Sequence, residues 1–335
     1  MIRAILLDIL APILILVALG AVMRRKFDLH IPTLSKLNIY LFVPAFIFDV
    51  VSRSRLSWAA MGGVMLVTAL NVMLLGAVVW GLGRALGAGR KTLAAVALAV
   101  MFYNSGNYGI PLAALAFPGG AGGADSSPVS AERDGAAVQA FVVFAMNLLT
   151  FTVGLGIAAW AGTGDWKQGI GTYFRLPMLP AVAAALAARA WVGSVPGRTL
   201  PVAIAKPAEY LALGLIPLAL VTLGAQLADN PRRPRWRPLS MVLFLRLIYG
   251  PAQMAALLYG FHLLGWKPLD LWGAGAWPAA SLILTAGVPT AVNTLLLVLE
   301  VGGETELAAD SVFWTTVVSC VTITAWLVVI RLWTG

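Results

Sequence analysis

The chain has 335 residues, of which 60% are hydrophobic and only 11% are charged, and its mean hydropathy is +0.88. Soluble domains carry about 25% charged residues, so this composition excludes an ordinary soluble globular protein. The net charge of +9 would fit a nucleic-acid-binding protein only if the chain were soluble. In a membrane protein it is expected from lysine and arginine in loops that face anionic lipid. We therefore expect an all-α integral membrane protein with lipid, and no nucleic acid, as its surroundings.

Ten apolar stretches, taken in chain order, are long enough to cross a bilayer, which requires about 20 residues each. The first is not read as a cleaved signal peptide, because the basic cluster Arg24–Lys26 follows it instead of preceding it. The predicted spans lie near 5–23, 34–51, 58–83, 92–117, 136–160, 176–192, 201–228, 239–264, 272–299 and 306–331.

The lysine and arginine residues of the loops indicate the orientation of these spans. With the N-terminus outside, twelve of them fall on the cytoplasmic side and nine on the opposite side. Cytoplasmic loops carry the excess of such residues in most membrane proteins. The sequence therefore predicts a multi-pass protein of the inner (plasma) membrane with both termini outside.

The fourth span contains a segment that is unsuited to a continuous helix. Residues 101–120 read MFYNSGNYGIPLAALAFPGG. In a helix interior, glycine costs about 1 kcal/mol and proline about 3 kcal/mol relative to alanine. Unpaired backbone groups are tolerated at this depth only where they face protein or a water-filled cavity. The sequence therefore predicts two half-helices, 92–103 and 108–117, with a break between them.

The ninth span contains a second break, TAGVPTAVN, at Thr285–Asn293, and this break repeats part of the first. Gly109–Ala113 (GIPLA) recurs as Gly287–Ala291 (GVPTA), an offset of 178 residues. Five spans followed by five more place the two copies in opposite orientations, as in secondary transporters. The sequence predicts one transmembrane unit made of two inverted five-helix repeats, residues 1–160 and 161–335.

If the two broken helices cross, their half-helix N-termini converge and can hold an anion without a buried lysine. The predicted substrate-binding residues are Asn104, Ser105, Gly106, Asn107, Gly109, Pro111, Thr285, Gly287, Pro289, Thr290 and Asn293. The alternative is a purely structural role, in which these glycines allow close helix packing and the asparagines form hydrogen bonds between helices.

Several further residues inside spans are candidates for the cavity or for coupling. Arg246 lies well within its span, where it could pair with an acid or assist an anion. Neutral polar residues could line the cavity or bridge helices, and two prolines could kink helices beside the crossing. These residues are Asn71, Gln139, Asn147 and Gln226, with Pro44 and Pro217.

Four motifs in this order resemble the auxin efflux carrier family, which comprises bacterial and archaeal permeases related to the plant PIN-FORMED proteins. The resemblance covers essentially the whole chain. The motifs are NSGNYGIPLA (104–113), PLALVTLGAQL (217–227), RLIYGPA (246–252) and AGVPTAVNTLLLVLEVGG (286–303).

The resemblance implies a fold shared with bile-acid sodium symporters and sodium/proton antiporters, with crossing fourth and ninth helices. It also implies that a transport part moves against a scaffold of spans one, two, six and seven, and it allows for a homodimer. The family's crossover asparagine and proline fall on Asn104 or Asn107 with Pro111, and on Pro289 with Asn293. The long hydrophilic loop of many plant members is reduced here to about residues 161–175.

Relatives carry auxin or small carboxylates, so the resemblance implies a secondary transporter for a small organic anion that works by alternating access. A channel-like passive uniporter and a membrane ligand sensor are the alternatives. An enzyme is not expected, because His30 and His262 have no acid at a catalytic or metal-site spacing and no phosphate-binding loop occurs. We expect no cofactor or structural metal, and the sequence leaves sodium coupling, proton coupling and uncoupled transport open.

Overall fold

The computed structural model describes residues 3, 5–27, 29–54, 57–117, 128–161, 177–195, 197–228, 234–266, 271–272, 277–300 and 303–334. Apart from Ala161, the reduced hydrophilic loop 161–175 lies outside these residues. Within the described ranges the structure is helical, apart from connecting turns and one isolated antiparallel bridge between Tyr103 and Thr290. The prediction of an all-α protein is confirmed.

Helices are numbered here in chain order over the described residues. Five π-helical turns adjoin these helices. Ile5–Leu10 precedes α1, and Asn38–Phe42, Ser105–Gly109, Thr150–Gly154 and Leu245–Tyr249 each connect two helices. The helices are α1 (Ala11–Lys26), α2 (Ile31–Leu37), α3 (Val43–Ser52), α4 (Trp58–Ala85), α5 (Arg90–Met101), α6 (Ile110–Ala116), α7 (Pro128–Leu149), α8 (Leu155–Ala161), α9 (Met178–Gly193), α10 (Val202–Leu227), α11 (Trp236–Phe244), α12 (Gly250–Leu263), α13 (Trp277–Ala286), α14 (Val292–Glu300) and α15 (Thr305–Thr334).

Among the described residues, seven helical stretches are long and apolar enough to cross a membrane, and each corresponds to one predicted span. They are Leu7–Lys26, Ile31–Ser52, Trp58–Ala85, Ala137–Ala161, Val202–Leu227, Trp236–Leu263 and Thr305–Trp333. The predicted sixth span is the shorter helix α9. The fourth and ninth spans are each divided into two short helices, α5 with α6 and α13 with α14, which confirms both predicted breaks.

The outward surface of these helices is apolar, as a lipid environment requires. On α15, for example, Val321 and Leu332 are 72% and 71% exposed. A soluble protein would cover such a continuous surface with charged residues, whereas lipid solvates it without cost. The multi-pass membrane assignment therefore agrees with where the hydrophobic side chains point.

One group of helices contains α1, α2, α3, α9 and α10, in which α10 packs on α1 and α3, and α9 packs on α3. Helices α1 and α10 approach closely at Gly20 and Gly224. A Cβ atom added at Gly20 would overlap the carbonyl of Val221, and one added at Gly224 would overlap the carbonyl of Val17. Glycine at these two positions therefore allows backbone-to-backbone contact, which is typical of membrane helix pairs.

At one end of this group, charged side chains tie α3 to α10. The guanidinium of Arg53 lies 2.9 Å from the Asp49 carboxylate and 3.6 Å from that of Glu209, which also pairs with Lys206 at 3.4 Å. Asp49 and Glu209 therefore act as ion-pair partners near helix ends.

The second group contains the remaining helices. Helix α4 packs on α5 and α7, α7 packs on α6 and α13, and α15 packs on α11 and α14. Asn71 of α4 and Gln253 of α12 bridge two of these helices, since Gln253 Nε2 donates to Asn71 Oδ1 at 2.8 Å. The two breaks lie inside this group, where α3 and α10 of the first group also contact it.

Candidate functional site

The two breaks meet and satisfy each other's backbone groups. The amide of Asn104 donates to the carbonyl of Pro289 at 2.8 Å, and the amide of Ala291 donates to the carbonyl of Phe102 at 3.0 Å. These two bonds form the antiparallel bridge between Tyr103 and Thr290. Backbone groups at bilayer depth need partners within the protein, so each break supplies what the other lacks.

Thr290 adds side-chain contacts that hold this crossing in place. Its hydroxyl donates to the carbonyl of Ala99 at 2.8 Å, in the last turn of α5. Its backbone amide donates to the hydroxyl of Thr315 on α15 at 3.0 Å. Thr290 is fully buried, so these bonds satisfy groups that have no access to water.

Arg246 is fully buried beside the crossing. Its guanidinium donates to the carbonyl of Val100 at 2.6 Å and also to the carbonyl of Ala286, and it lies 4.6 Å from the centre of the Tyr103 ring. Among the described residues, no carboxylate lies within ion-pair distance of it. Of the two roles predicted for Arg246, pairing with an acid is therefore not seen among the described residues, because helix-end carbonyls take its hydrogen bonds.

A cavity of about 100 Å³ lies against the crossing. Its wall contains neutral polar and apolar side chains and no charged residue of the described chain. The lining residues are Ser35, Asn38, Ile39, Val43, Tyr103, Asn104, Ser105, Gly106, Asn107, Val143, Met146, Asn147, Thr150, Gln226, Ala291, Val292 and Asn293.

Both half-helices that follow the breaks begin at this cavity. The π-helical turn Ser105–Gly109 leads into α6, and α14 begins at Val292. The side chain of Asn104 caps the first of these by accepting from the amide of Asn107 at 3.1 Å. The first amides of a helix have no partner within the helix, so the amides of Gly106 and Asn293 belong to the positive ends of two helices.

Four of the π-helical turns carry residues of this region. Asn38, Asn107 and Thr150 line the cavity, and Arg246 contacts the crossing. A π turn inserts one residue into an α-helix, which rotates the following side chains and is frequent at functional sites. In this protein the turns point polar groups inward from spans that are otherwise apolar.

The predicted site residues fall into two sets. Asn104, Ser105, Gly106, Asn107, Asn293 and Gln226 line the cavity. The others do not line the cavity, and these are Gly109, Pro111, Thr285, Gly287, Pro289, Thr290, Pro44 and Arg246. Of these, Pro289 and Thr290 form the crossing and Arg246 contacts it. Position 109 requires glycine for a steric reason, since a Cβ atom there would lie 2.5 Å from Gln139 Nε2.

Residues from other spans complete the wall. Asn147 was one of the neutral polar candidates, whereas Ser35, Asn38 and Thr150 were not predicted. A polar residue at a regular helical spacing gives no signal of where it points, and two of these three lie in π turns that shift the spacing. Gln139 and Asn71 bridge helices instead of lining the cavity.

Comparison with known proteins supports the resemblance found in the motifs. A family model described as "Membrane transport protein" matches residues 170–327. The chain is also 26% identical over 328 residues to a protein of Rhizobium meliloti (strain 1021) named "Putative malonate transporter". That alignment covers 94% of this chain and 93% of the relative, so the similarity extends through both breaks.

Proposed function

We propose that this chain, as a membrane transport protein of the auxin efflux carrier family and not an enzyme, moves a small carboxylate across the membrane. The observation that carries this proposal is the cavity at the crossing, on which two helix N-termini open. Each N-terminus carries about half a positive elementary charge, so two of them can neutralise one carboxylate.

The neutral wall suits transport better than permanent binding. Carboxamides of Asn104, Asn107, Asn147 and Asn293 can donate hydrogen bonds to carboxylate oxygens without adding a fixed charge. A buried lysine or arginine in direct contact would hold the anion more tightly and would itself be costly to bury. A site made of dipoles therefore binds an anion and can also release it.

The size of the cavity favours a small substrate. Pockets for drug-sized ligands measure roughly 300–1,000 Å³, and this one is about 100 Å³. A short dicarboxylate such as malonate, which the relative's name mentions, fits this volume better than an aromatic auxin does. We therefore propose short-chain carboxylates as the substrate class.

The arrangement of the helices supports ten crossings. Seven long spans, the short helix α9 and the two broken helices together make ten. The side chain of Glu304, after the ninth span, accepts hydrogen bonds from Thr92, at the start of the fourth span, and from Arg235, which follows the seventh span. These three positions lie on one face of the membrane in a ten-span topology. We propose that this face is cytoplasmic, that both termini are outside, and that residues 1–160 and 161–335 are inverted repeats.

The cavity lies between the two helix groups. Five lining residues belong to the group of α1, α2, α3, α9 and α10, namely Ser35, Asn38, Ile39, Val43 and Gln226, and the remaining lining residues belong to the other group. Movement of one group against the other would carry the crossing from one side of the membrane to the other. We therefore propose alternating access, with the first group as the scaffold.

Transport is tested with the purified protein in liposomes. We expect saturable uptake of labelled malonate and faster uptake into vesicles preloaded with unlabelled malonate. A channel would show neither saturation at low concentration nor this exchange, and a sensor would bind malonate without any flux. If no short carboxylate from C2 to C6 moves, the proposed function is wrong.

The site is tested with Asn104→Ala, Asn107→Ala and Pro289→Leu. The first two remove a cap and a donor at the cavity, and the third alters the backbone that accepts from Asn104. We expect KM for malonate to rise by about tenfold or more, as for the loss of a hydrogen bond to a charged group. Asn71→Ala is the matched control, because it removes a buried asparagine outside the cavity and should leave KM unchanged.

A further inference from the structure

The carbonyl ends of the broken helices face away from the proposed anion site and meet one side chain. Helix α5 ends at Met101 and helix α13 at Ala286. The guanidinium of Arg246 donates to Val100 O in the last turn of α5 and to Ala286 O at the end of α13. One fully buried arginine therefore joins the C-termini of both broken helices.

Such carbonyl ends are where transporters with discontinuous helices coordinate a coupling cation such as sodium. We infer that Arg246 is a built-in cation that fills this position, an inference that rests on the proposed transport function. Two of its three guanidinium nitrogens donate to these helix ends, and its Cζ atom lies 4.6 Å from the centre of the Tyr103 ring. A sodium ion has no access to these two carbonyls while the guanidinium is bound to them.

The charges of this arrangement balance. The C-terminus of a helix carries about half a negative elementary charge, so two C-termini supply roughly the one negative charge that a guanidinium needs. The ring face of Tyr103 adds a cation–π contact. No carboxylate of the described chain lies within ion-pair distance of Arg246, so these dipoles neutralise it.

The same arginine also positions the anion site, although it does not line the cavity. The two helices that it joins, α5 and α13, lead into Tyr103 and Thr290, the residues that form the bridge. Arg246 therefore fixes the two breaks against each other while remaining outside the cavity wall. It is a positioning residue, and it makes the transport of the anion independent of a soluble cation at the crossing.

The first test uses the wild-type protein in liposomes. Malonate exchange is measured in sodium, potassium and choline chloride at equal ionic strength and equal pH. We expect equal initial rates in all three salts. A rate that rises with sodium would overturn the inference, whereas the absence of any malonate flux would contradict the proposed function instead.

The second test uses Arg246→Ala, with guanidinium ion as the probe. We expect exchange to fall by about tenfold or more, as for the loss of hydrogen bonds to a charged group. Guanidinium at tens of millimolar should restore much of the rate, since it replaces the missing group in shape and charge. Urea has nearly the same shape without the charge and should restore little. Equal rescue by urea and guanidinium would mean that Arg246 only fills space, which would overturn the inference.

Arg246→Lys keeps the charge but cannot reach both carbonyls in a planar fork, so we expect an intermediate rate. Thermal unfolding in detergent gives a readout that needs no transport. Guanidinium should raise the melting temperature of Arg246→Ala more than urea does, and neither should raise that of the wild type. If Arg246→Ala does not fold, Arg246→Lys and the comparison of salts test the inference instead. Exchange that sodium stimulates in Arg246→Lys, but not in the wild type, would support a cation position that the guanidinium normally fills.

Discussion

Gln139 accepts a hydrogen bond at its side-chain oxygen from the hydroxyl of Thr285 at 2.8 Å. The nitrogen of the same carboxamide donates to the carbonyl of Ser105 at 2.6 Å. Thr285 belongs to the last turn of α13, and Ser105 begins the turn after the first break. A single buried side chain on α7 therefore connects both broken helices, in addition to their backbone bridge.

The first prediction concerns this connection. Gln139→Leu keeps a similar volume but leaves Ser105 O and the Thr285 hydroxyl without their partner. An unsatisfied buried polar group costs about 1–3 kcal/mol, so the variant should unfold at a lower temperature. Because Ser105 lines the cavity, KM for malonate should rise as well.

The control for Gln139→Leu is Gln253→Leu. Gln253 also donates from a carboxamide to a neighbouring helix, at Asn71, but it lies outside the cavity wall. We expect it to lower the melting temperature without changing KM. Equal effects of the two variants on KM would contradict a specific role for Gln139 at the crossing.

The second prediction is a pH dependence at Glu304, which lies between α14 and α15. Partial burial alone would raise the pKa of this carboxyl, but hydrogen bonds from Thr92 and Arg235, with the charges of Arg235 and Lys91, outweigh it and hold the pKa below its usual value of 4.5. A lowered pKa in the folded state means that the stabilisation is present above pH 4.5 and is lost as the pH falls through the folded-state pKa.

Glu304→Gln should therefore unfold at a lower temperature than the wild type at pH 7, and the difference should shrink as the pH falls below about 4.5. Thermal unfolding in detergent between pH 7 and pH 3 measures this. Thr92→Val removes only one of the hydrogen bonds and should show a smaller difference at neutral pH. A gap between wild type and Glu304→Gln that stays constant over this range would contradict the prediction.

The third prediction concerns the close approach of α1 and α10. Gly224→Ala places a methyl group against the carbonyl of Val17, so the two helices must separate. Overpacking of this kind costs about 1–3 kcal/mol, and the melting temperature should fall accordingly. Gly62→Ala is the control, because an added Cβ there meets nothing within 4 Å and helix propensity favours alanine by up to about 1 kcal/mol. A neutral Gly224→Ala variant would mean that the helices can move apart without cost.

The fourth prediction tests the helix N-terminus at α14 directly. Asn293→Asp supplies a carboxylate at the start of the helix, where it would occupy the positive end that we assign to the substrate. We expect KM for malonate to rise by about tenfold or more, which corresponds to about 1.4 kcal/mol. Asn293→Leu, whose side chain branches at the same atom but cannot donate hydrogen bonds, should reduce transport without this competition.

Lowering the pH separates these two variants. Protonation neutralises the aspartic acid, so Asn293→Asp should recover part of its activity as the pH is lowered. Asn293→Leu carries no titratable group and should show the pH profile of the wild type. Identical pH profiles for the two variants would argue against an anion site at this N-terminus.

The architecture could be predicted from the sequence wherever the signal is local. Long apolar runs reveal helices that can cross a membrane, because burial in lipid depends on the composition of about 20 successive residues. Gly106, Gly109 and Pro111 in the first break, and Gly287 and Pro289 in the second, reveal the breaks, because glycine and proline disfavour a helix at their own positions. Both kinds of prediction agree with the helices observed.

Only the tertiary structure decided which side chains meet at the crossing. Arg246 was open to pairing with an acid or with an anion, and it contacts two carbonyls instead, because two distant helix ends converge beside it. Asn38 and Thr150 face the cavity because π turns change the rotation of their helices, which hydropathy does not report. Composition and backbone preference act along the chain, whereas the polar wall arises from the relative rotation of helices that are far apart in sequence.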